Sequence, residues 1–306
     1  FFFFFVSVVV KNTQDKKKML RSSLALVLVL VAVCFAAQEK VDPSQWSYNT
    51  GYTYTLYSYA AYCSEEHLRA WDCYWCLHNS TTSGFQTHNV FNADGEQVFT
   101  GVNKDYEQIV VSFRGSDDIT NWLNDFNVDQ VPYPYCDGCN VHKGFYDTWN
   151  SVKYDVVKDV QTLVSEYPSY SLVVTGHSLG AAVGSLAAPE ILMNISSSTP
   201  VYLWNMGSPR LGNLAWANWY PTNGILWTQR IVNWKDIVPH TPSETGDLYH
   251  HITEEAWEQK TPTQFVLCSL TNGEDPNCSD SVKIPNVEDH TQYFGLDLES
   301  PDAVPC

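Results

Sequence analysis

The chain has 306 residues, 44% of them hydrophobic and 14% aromatic, and a formal net charge of −17. That length and apolar content can supply the core of one large domain or two small ones. The acidic balance excludes nucleic acid and anionic membrane surfaces as partners and argues against polyanionic substrates.

Phe1 to Val10 is a low-complexity apolar run without an initiating methionine, followed by the polar stretch Lys11 to Lys18. Around Met19 the layout is that of a secretory signal. Lys16, Lys17, Lys18 and Arg21 supply positive charge, Leu24 to Ala37 is an apolar run of 14 residues, and Cys34-Phe35-Ala36 offers small residues for cleavage. That run is short of the ~20 residues a membrane span needs. Residues 1–18 are therefore expected to lie upstream of the true start, 19–36 to be removed as a signal peptide, and 37–306 to form a single catalytic domain. The leader holds five basic residues and one acidic, so the remainder stands at −21.

Beyond Cys34 of the leader the chain keeps eight cysteines, at 63, 73, 76, 136, 139, 268, 278 and 306. An even count behind a signal peptide reads as a disulfide framework, although the count alone leaves the pairing open. The two Cys-x-x-Cys pairs are too far apart, in too oxidising a setting, to favour zinc or redox chemistry. Asn79-Ser80-Thr81 and Asn194-Ile195-Ser196 are glycosylation sequons consistent with the secretory route.

Between 41 and 84 two short helices are predicted, one ending near Tyr62 and one around Glu65 to Trp71. Phe85 to Phe91 and Gln97 to Val102 flank Asn92-Ala93-Asp94-Gly95 and read as a β-hairpin. Gln108 to Phe113 is a strand that Arg114-Gly115-Ser116 ends abruptly. From Phe145 to Tyr167, Trp149, Val152, Val156, Val160 and Leu163 recur at spacings of three and four, the signature of an amphipathic helix. Leu172 to Thr175, Val201 to Met206 and Gln229 to Trp234 read as further strands, with a helical stretch near Leu211 to Tyr220. Strands alternating with helices imply an α/β fold, a largely parallel sheet covered on both faces.

Gly176-His177-Ser178-Leu179-Gly180 interrupts this pattern between a buried strand and a helix over Ala181 to Ala188, which Pro189 is expected to end or kink. A serine on so sharp a turn is exposed and strained, and only glycine fits two residues to either side. The helix N-terminus would aim the backbone N–H of Leu179 at negative charge forming beside Ser178. Serine is a poor nucleophile until a histidine, held by a carboxylate, takes its proton. Asp236, just beyond a strand downstream, fits the acid. His240, His250, His251 and His290 all follow it, and spacing does not choose among them. His177 is excluded because adjacent side chains on a tight turn point apart. His142 precedes the nucleophile and braces a loop.

Several motifs together resemble the class 3, fungal-type lipases from about Tyr52 to Cys306. They are the Gly-His-Ser-Leu-Gly-Ala elbow, Val232 to His240, Asp289 to Gly295, Arg114-Gly115-Ser116 with Ile119 and Trp122, and Val141-His142-x-Gly144-Phe145. The resemblance implies an α/β-hydrolase fold with Ser178, Asp236 and His290 as catalytic triad, leaving His142 and His240 structural. It adds Ser116 to Leu179 in the oxyanion hole, and a short helical lid presenting Ile119, Trp122 and Leu123. It suggests the disulfides Cys63–Cys306, Cys73–Cys76, Cys136–Cys139 and Cys268–Cys278. Glu274 to Asp280 is acidic but lacks the spacing of a calcium loop, so a solvated, disulfide-closed hairpin is expected. The implied activity is that of a secreted triacylglycerol lipase, working as a monomer at an oil–water interface without cofactor or metal. A feruloyl esterase, a phospholipase A1 and a catalytically silent lipid-binding homologue are the alternatives.

Overall fold

The computed structural model describes residues 41–93, 95–244, 248–303 and 306. The expectations for residues 1–36 lie outside the described residues, and Val41–Cys306 clusters as one unit. The described residues open with helices α1 (Tyr48–Ala60), α2 (Glu65–Ala70), α3 (Tyr74–Leu77) and α4 (Ser80–Ser83). Strands β1 (Phe85–Ala93), β2 (Glu96–Asn103) and β3 (Gln108–Phe113) follow, then α5 (Ile119–Asn124), β4 (Gln130–Pro132) and β5 (Asn140–His142). The middle of the chain is α6 (Lys143–Glu166), β6 (Ser171–His177), α7 (Leu179–Leu192), β7 (Val201–Met206), α8 (Leu214–Trp219) and β8 (Trp227–Asn233). After β9 (Glu255–Glu258) and β10 (Phe265–Leu267), a 3-10 turn at Glu288–Thr291 leads into the small pair β11 (Gln292–Tyr293) and β12 (Leu296–Asp297).

Eight strands form one sheet in the order β1-β2-β3-β6-β7-β8-β9-β10. Its centre, from β3 to β9, is parallel, and antiparallel strands flank it on both sides. Alternation along each strand divides the side chains between two cores. Ile109, Val111, Phe113, Leu172 and Val174 pack on one face with Trp149, Val156 and Val160 of α6 and Ala182 and Leu186 of α7. Val110 and Val173 turn to the other face, against Tyr54 and Tyr57 of α1. With both faces covered, only the loops at the strand ends are left to carry chemistry.

Pro189 does not end its helix, which runs on to Leu192. A proline at 189 leaves the Ser185 carbonyl without its helical donor. Tyr220 fills the gap, its hydroxyl donating to that oxygen at 3.0 Å. The Glu274 to Asp280 segment is solvated only at its tip, Pro276 and Asn277, while Glu274 and Asp280 depart from expectation. Arg210 donates to both Glu274 carboxylate oxygens, at 2.9 and 2.7 Å, and to Asp280 at 3.2 Å. These contacts hold the Glu274 carboxyl well below the usual range, although burial pulls it the other way. Asp280 is pushed up to about 7 by burial and by Glu274 beside it.

Candidate active site

Ser178 follows β6 directly and precedes α7, with φ 60° and ψ −129°. A side chain rarely adopts that backbone, and holding it there costs ~1–3 kcal/mol. The surroundings impose it. The Ser178 N–H donates to Met206 O at 3.0 Å, and the Ser178 carbonyl accepts from Ala181 N–H at 3.0 Å. A Cβ on Gly176 would come within 2.4 Å of Gly180 O, and one on Gly180 within 2.2 Å of Phe113 O. The glycines let β6, α7 and β3 converge under the serine.

Asp236 lies three residues past β8 and His290 in the 3-10 turn before β11; neither is exposed to solvent. His290 Nδ1 is 2.8 Å from Asp236 Oδ2 and 3.0 Å from Oδ1. A carboxylate only accepts, so the proton of a neutral His290 sits on Nδ1 and Nε2 keeps its lone pair. Nε2 has no hydrogen-bond partner, and neither does Ser178 Oγ, which is fully buried rather than exposed as the sharp turn alone implies. Asp236 is further held by Val238 N–H at 2.8 Å and by the Tyr293 hydroxyl at 2.5 Å. Gly207, just past β7, lies against this group: a Cβ there would be 2.9 Å from His290 Cε1 and 3.0 Å from Asp236 Oδ2.

Among the other candidate histidines, His251 donates from Nε2 to Pro239 O, 2.7 Å away, and His240 is held low by burial and by nearby Arg210. His142 caps α6, its Nδ1 accepting from Phe145 N–H at 3.2 Å, while Nε2 meets Asn127 O. Burial lowers its pKa, which keeps the ring neutral for that cap.

Ser116 lies in the loop between β3 and α5, and a Cβ on neighbouring Gly115 would sit 2.9 Å from Ser178 Cβ. Leu179 is the first residue of α7, where backbone N–H groups have no partner within the helix. Asp118 caps α5, accepting from Asn121 N–H at 2.9 Å. Ile119, Trp122 and Leu123 are half-buried, with Trp122 edge-on to Phe126 at 4.8 Å and stacked on Phe145 at 6.3 Å. Ser116 and Ile119 also border a cavity of about 300 Å³ with Tyr62, Trp75 and Leu298, which reaches none of Ser178, Asp236 or His290. Disulfides join Cys63 to Cys306, Cys73 to Cys76, Cys136 to Cys139 and Cys268 to Cys278. The first ties the end of α1 to the segment beyond His290.

No local sequence pattern marks a role for Tyr293, Tyr62 or Gly207, and His177 is excluded there as the base. Tyr293 and Gly207 stand in the motifs around His290 and after β7, but their contacts are made only in the fold.

The profile of the lipase (class 3) family matches residues 110–246, spanning Ser178 and Asp236 and stopping before His290. A lipase of Rhizomucor miehei is 34% identical over 247 residues, covering 79% of this chain and 67% of that protein. The chain belongs to the class 3 lipase family. As a member, it is a carboxylic ester hydrolase. The secreted mono- and diacylglycerol lipase A of Penicillium cyclopium is 35% identical over 159 residues, 52% of this chain, which spans about half (50%) of that relative. Among solved structures, a triacylglycerol lipase whose catalytic centre is a serine protease triad superposes with a TM-score of 0.74 at 33% identity. It covers 82% of this lipase chain and 95% of its own. The architecture is thus the α/β-hydrolase fold.

Proposed function

We propose that this lipase is secreted and hydrolyses long-chain acyl esters, with triacylglycerols as substrate class, through Ser178, His290 and Asp236. The observation that carries the reading is the pair of buried, unpartnered atoms, Ser178 Oγ and His290 Nε2, with His290 fixed by Asp236 from behind. His290 Nε2 takes the Ser178 proton as Oγ attacks the ester carbonyl. The N–H of Leu179, with Ser116, holds the resulting oxyanion, and one such donor typically contributes ~3 kcal/mol. The tetrahedral intermediate collapses, the C–O bond to the alcohol breaks, and the alcohol leaves with the proton from His290. Water, deprotonated by His290, then attacks the acyl-enzyme and releases the fatty acid.

A nucleophile with no solvent exposure must be uncovered before it meets a substrate. Helix α5 is suited to do this, being short, capped by one aspartate and without a fully buried residue. Rolling it away would present Ile119, Trp122 and Leu123 to a lipid surface, so an oil–water interface is the natural partner. An extracellular location is supported by the four disulfides and by the secreted relative. No described helix is long and apolar enough to cross a membrane. Asn194 is exposed and suits glycosylation, as does the half-buried Asn79 at the start of α4.

The test compares emulsified long-chain triacylglycerol, methyl ferulate and phosphatidylcholine as substrates at matched enzyme concentration. Triacylglycerol should be turned over fastest, with a sharp rise in rate above its solubility. Preference for the ferulate or the phospholipid would transfer the assignment to that class, and no turnover of any would favour a silent homologue.

A further inference from the structure

We infer that His177 is a positioning residue that holds the base, His290, by its backbone, an inference that rests on the reading of His290 given above. The His177 ring is fully buried between Tyr62 and the His290 turn. Its Nε2 lies 2.8 Å from the His290 carbonyl oxygen and its Nδ1 2.7 Å from the Tyr62 hydroxyl. A carbonyl only accepts, so the proton is on Nε2, and Nδ1 must accept from Tyr62. The two contacts therefore fix both the tautomer and the plane of the ring. Burial, first, and the neighbouring His290, second, hold its pKa well below the usual histidine range, so the ring stays neutral and this arrangement is kept.

The His290 turn needs such support. It is a single 3-10 turn of four residues with no side-chain cap. Its carbonyls are instead taken one after another by donors from the rest of the fold. Asn233 donates to Asp289 O at 2.9 Å and also to Gln292 O. Tyr59 donates to Thr291 O at 3.0 Å. Between them, His177 holds the carbonyl of the base itself, and its ring packs 4.4 Å from the His290 ring. Because His177 is covalently next to Ser178, the contact links the position of the nucleophile to that of the base. No other side chain described here joins the two in one step. A misplacement of about 1 Å between reacting groups is enough to lower a rate ~100-fold.

The test measures kcat, KM and Tm for His177→Phe, His177→Gln, Tyr62→Phe and His290→Ala. It also follows the low-field proton resonance of the His290 Nδ1–H. Phenylalanine keeps the ring volume without either hydrogen bond, while the glutamine amide can again donate to the His290 carbonyl. His177→Phe should lower kcat about 10- to 100-fold with KM within about twofold, and broaden or shift the low-field signal. His177→Gln should recover most of the loss, and Tyr62→Phe should lower kcat by a smaller factor. An unchanged kcat and resonance in His177→Phe, with His290→Ala inactive, would overturn the inference alone. So would losses in kcat and Tm that are equal for the Phe and Gln variants. An active His290→Ala would overturn the assignment of the base, and the inference with it. Should His177→Phe not fold, a Tyr62→Phe enzyme with wild-type kcat and resonance would overturn the inference by itself.

Discussion

Replacing Gly207 with alanine should disable the site while leaving the chain folded. Gly207 has φ 61°, and a Cβ there would lie 2.9 Å from His290 Cε1, 2.9 Å from Tyr293 Oη and 3.0 Å from Asp236 Oδ2. All three atoms belong to the proposed acid–base group. Ordinary contact between carbons begins near ~3.5 Å, so the imidazole must retreat by about half an ångström. If a full ångström lowers the rate ~100-fold, half of it lowers kcat about 10-fold. The left-handed backbone adds ~1–2 kcal/mol of destabilisation for a residue with a side chain, a drop of several degrees in Tm for a domain of this size. Gly184→Ala is the matched control. That glycine sits inside α7, and its nearest neighbour would be Val174 Cγ1 at an ordinary 3.4 Å. Alanine there should stabilise by ~0.5–1 kcal/mol with activity unchanged. The assay is kcat and KM on an emulsified ester with calorimetry on the same samples. A Gly207→Ala enzyme within twofold of wild-type kcat would refute the idea that this glycine makes room for the acid–base pair.

Burial pushes the Glu258 carboxyl up to about 8. From the ordinary value near ~4.3 up to that pH the folded chain keeps a proton that the unfolded chain has released. Its contribution to stability is therefore complete at low pH and lost as pH rises through 8. Wild-type Tm should fall more steeply than that of Glu258→Gln between pH 5 and 9 in scanning calorimetry, and parallel slopes would count against it. Tyr220→Phe leaves the Ser185 carbonyl buried without a donor and should destabilise by ~1–3 kcal/mol in urea unfolding, with kcat unaffected. The Cys63–Cys306 disulfide closes a loop 243 residues long in sequence separation. Replacing both cysteines with serine should lower stability by ~5 kcal/mol on the chain-entropy estimate, and a change below ~1 kcal/mol would show that the tie is dispensable.

The elements legible in the sequence are those whose pattern is local. Val110 and Val111 in β3, Val173 and Val174 in β6, and the three-and-four spacing from Trp149 to Leu163 in α6 lie where the periodicity puts them. The elbow was legible for the same reason, since its glycines answer to clashes within a few residues and one neighbouring strand. What depends on distant partners was not. Pro189 is tolerated inside α7 because the Ser185 carbonyl it leaves free meets a hydroxyl 35 positions further along the chain. Glu274 is drawn in from solvent because Arg210, 64 positions away, meets it. Spacing could not separate His290 from His240, His250 and His251, because what distinguishes it is a carboxylate 54 positions upstream. Short strands such as β9 to β12 carry too few residues for a pattern, and sheet pairing alone defines them. His177 is unsuited to be the base, because both its ring nitrogens are engaged, by Tyr62 and by the His290 carbonyl. What the sequence did not disclose was the carbonyl waiting there.

The most direct measurement is mass spectrometry of the chain after exposure to a serine-directed phosphonate, run in parallel on wild type and His290→Ala. A base poised over an activated hydroxyl predicts one phosphonyl group on Ser178 in the wild type and a labelling rate lost with the imidazole. An unmodified Ser178, or equal labelling rates in the two proteins, would contradict it.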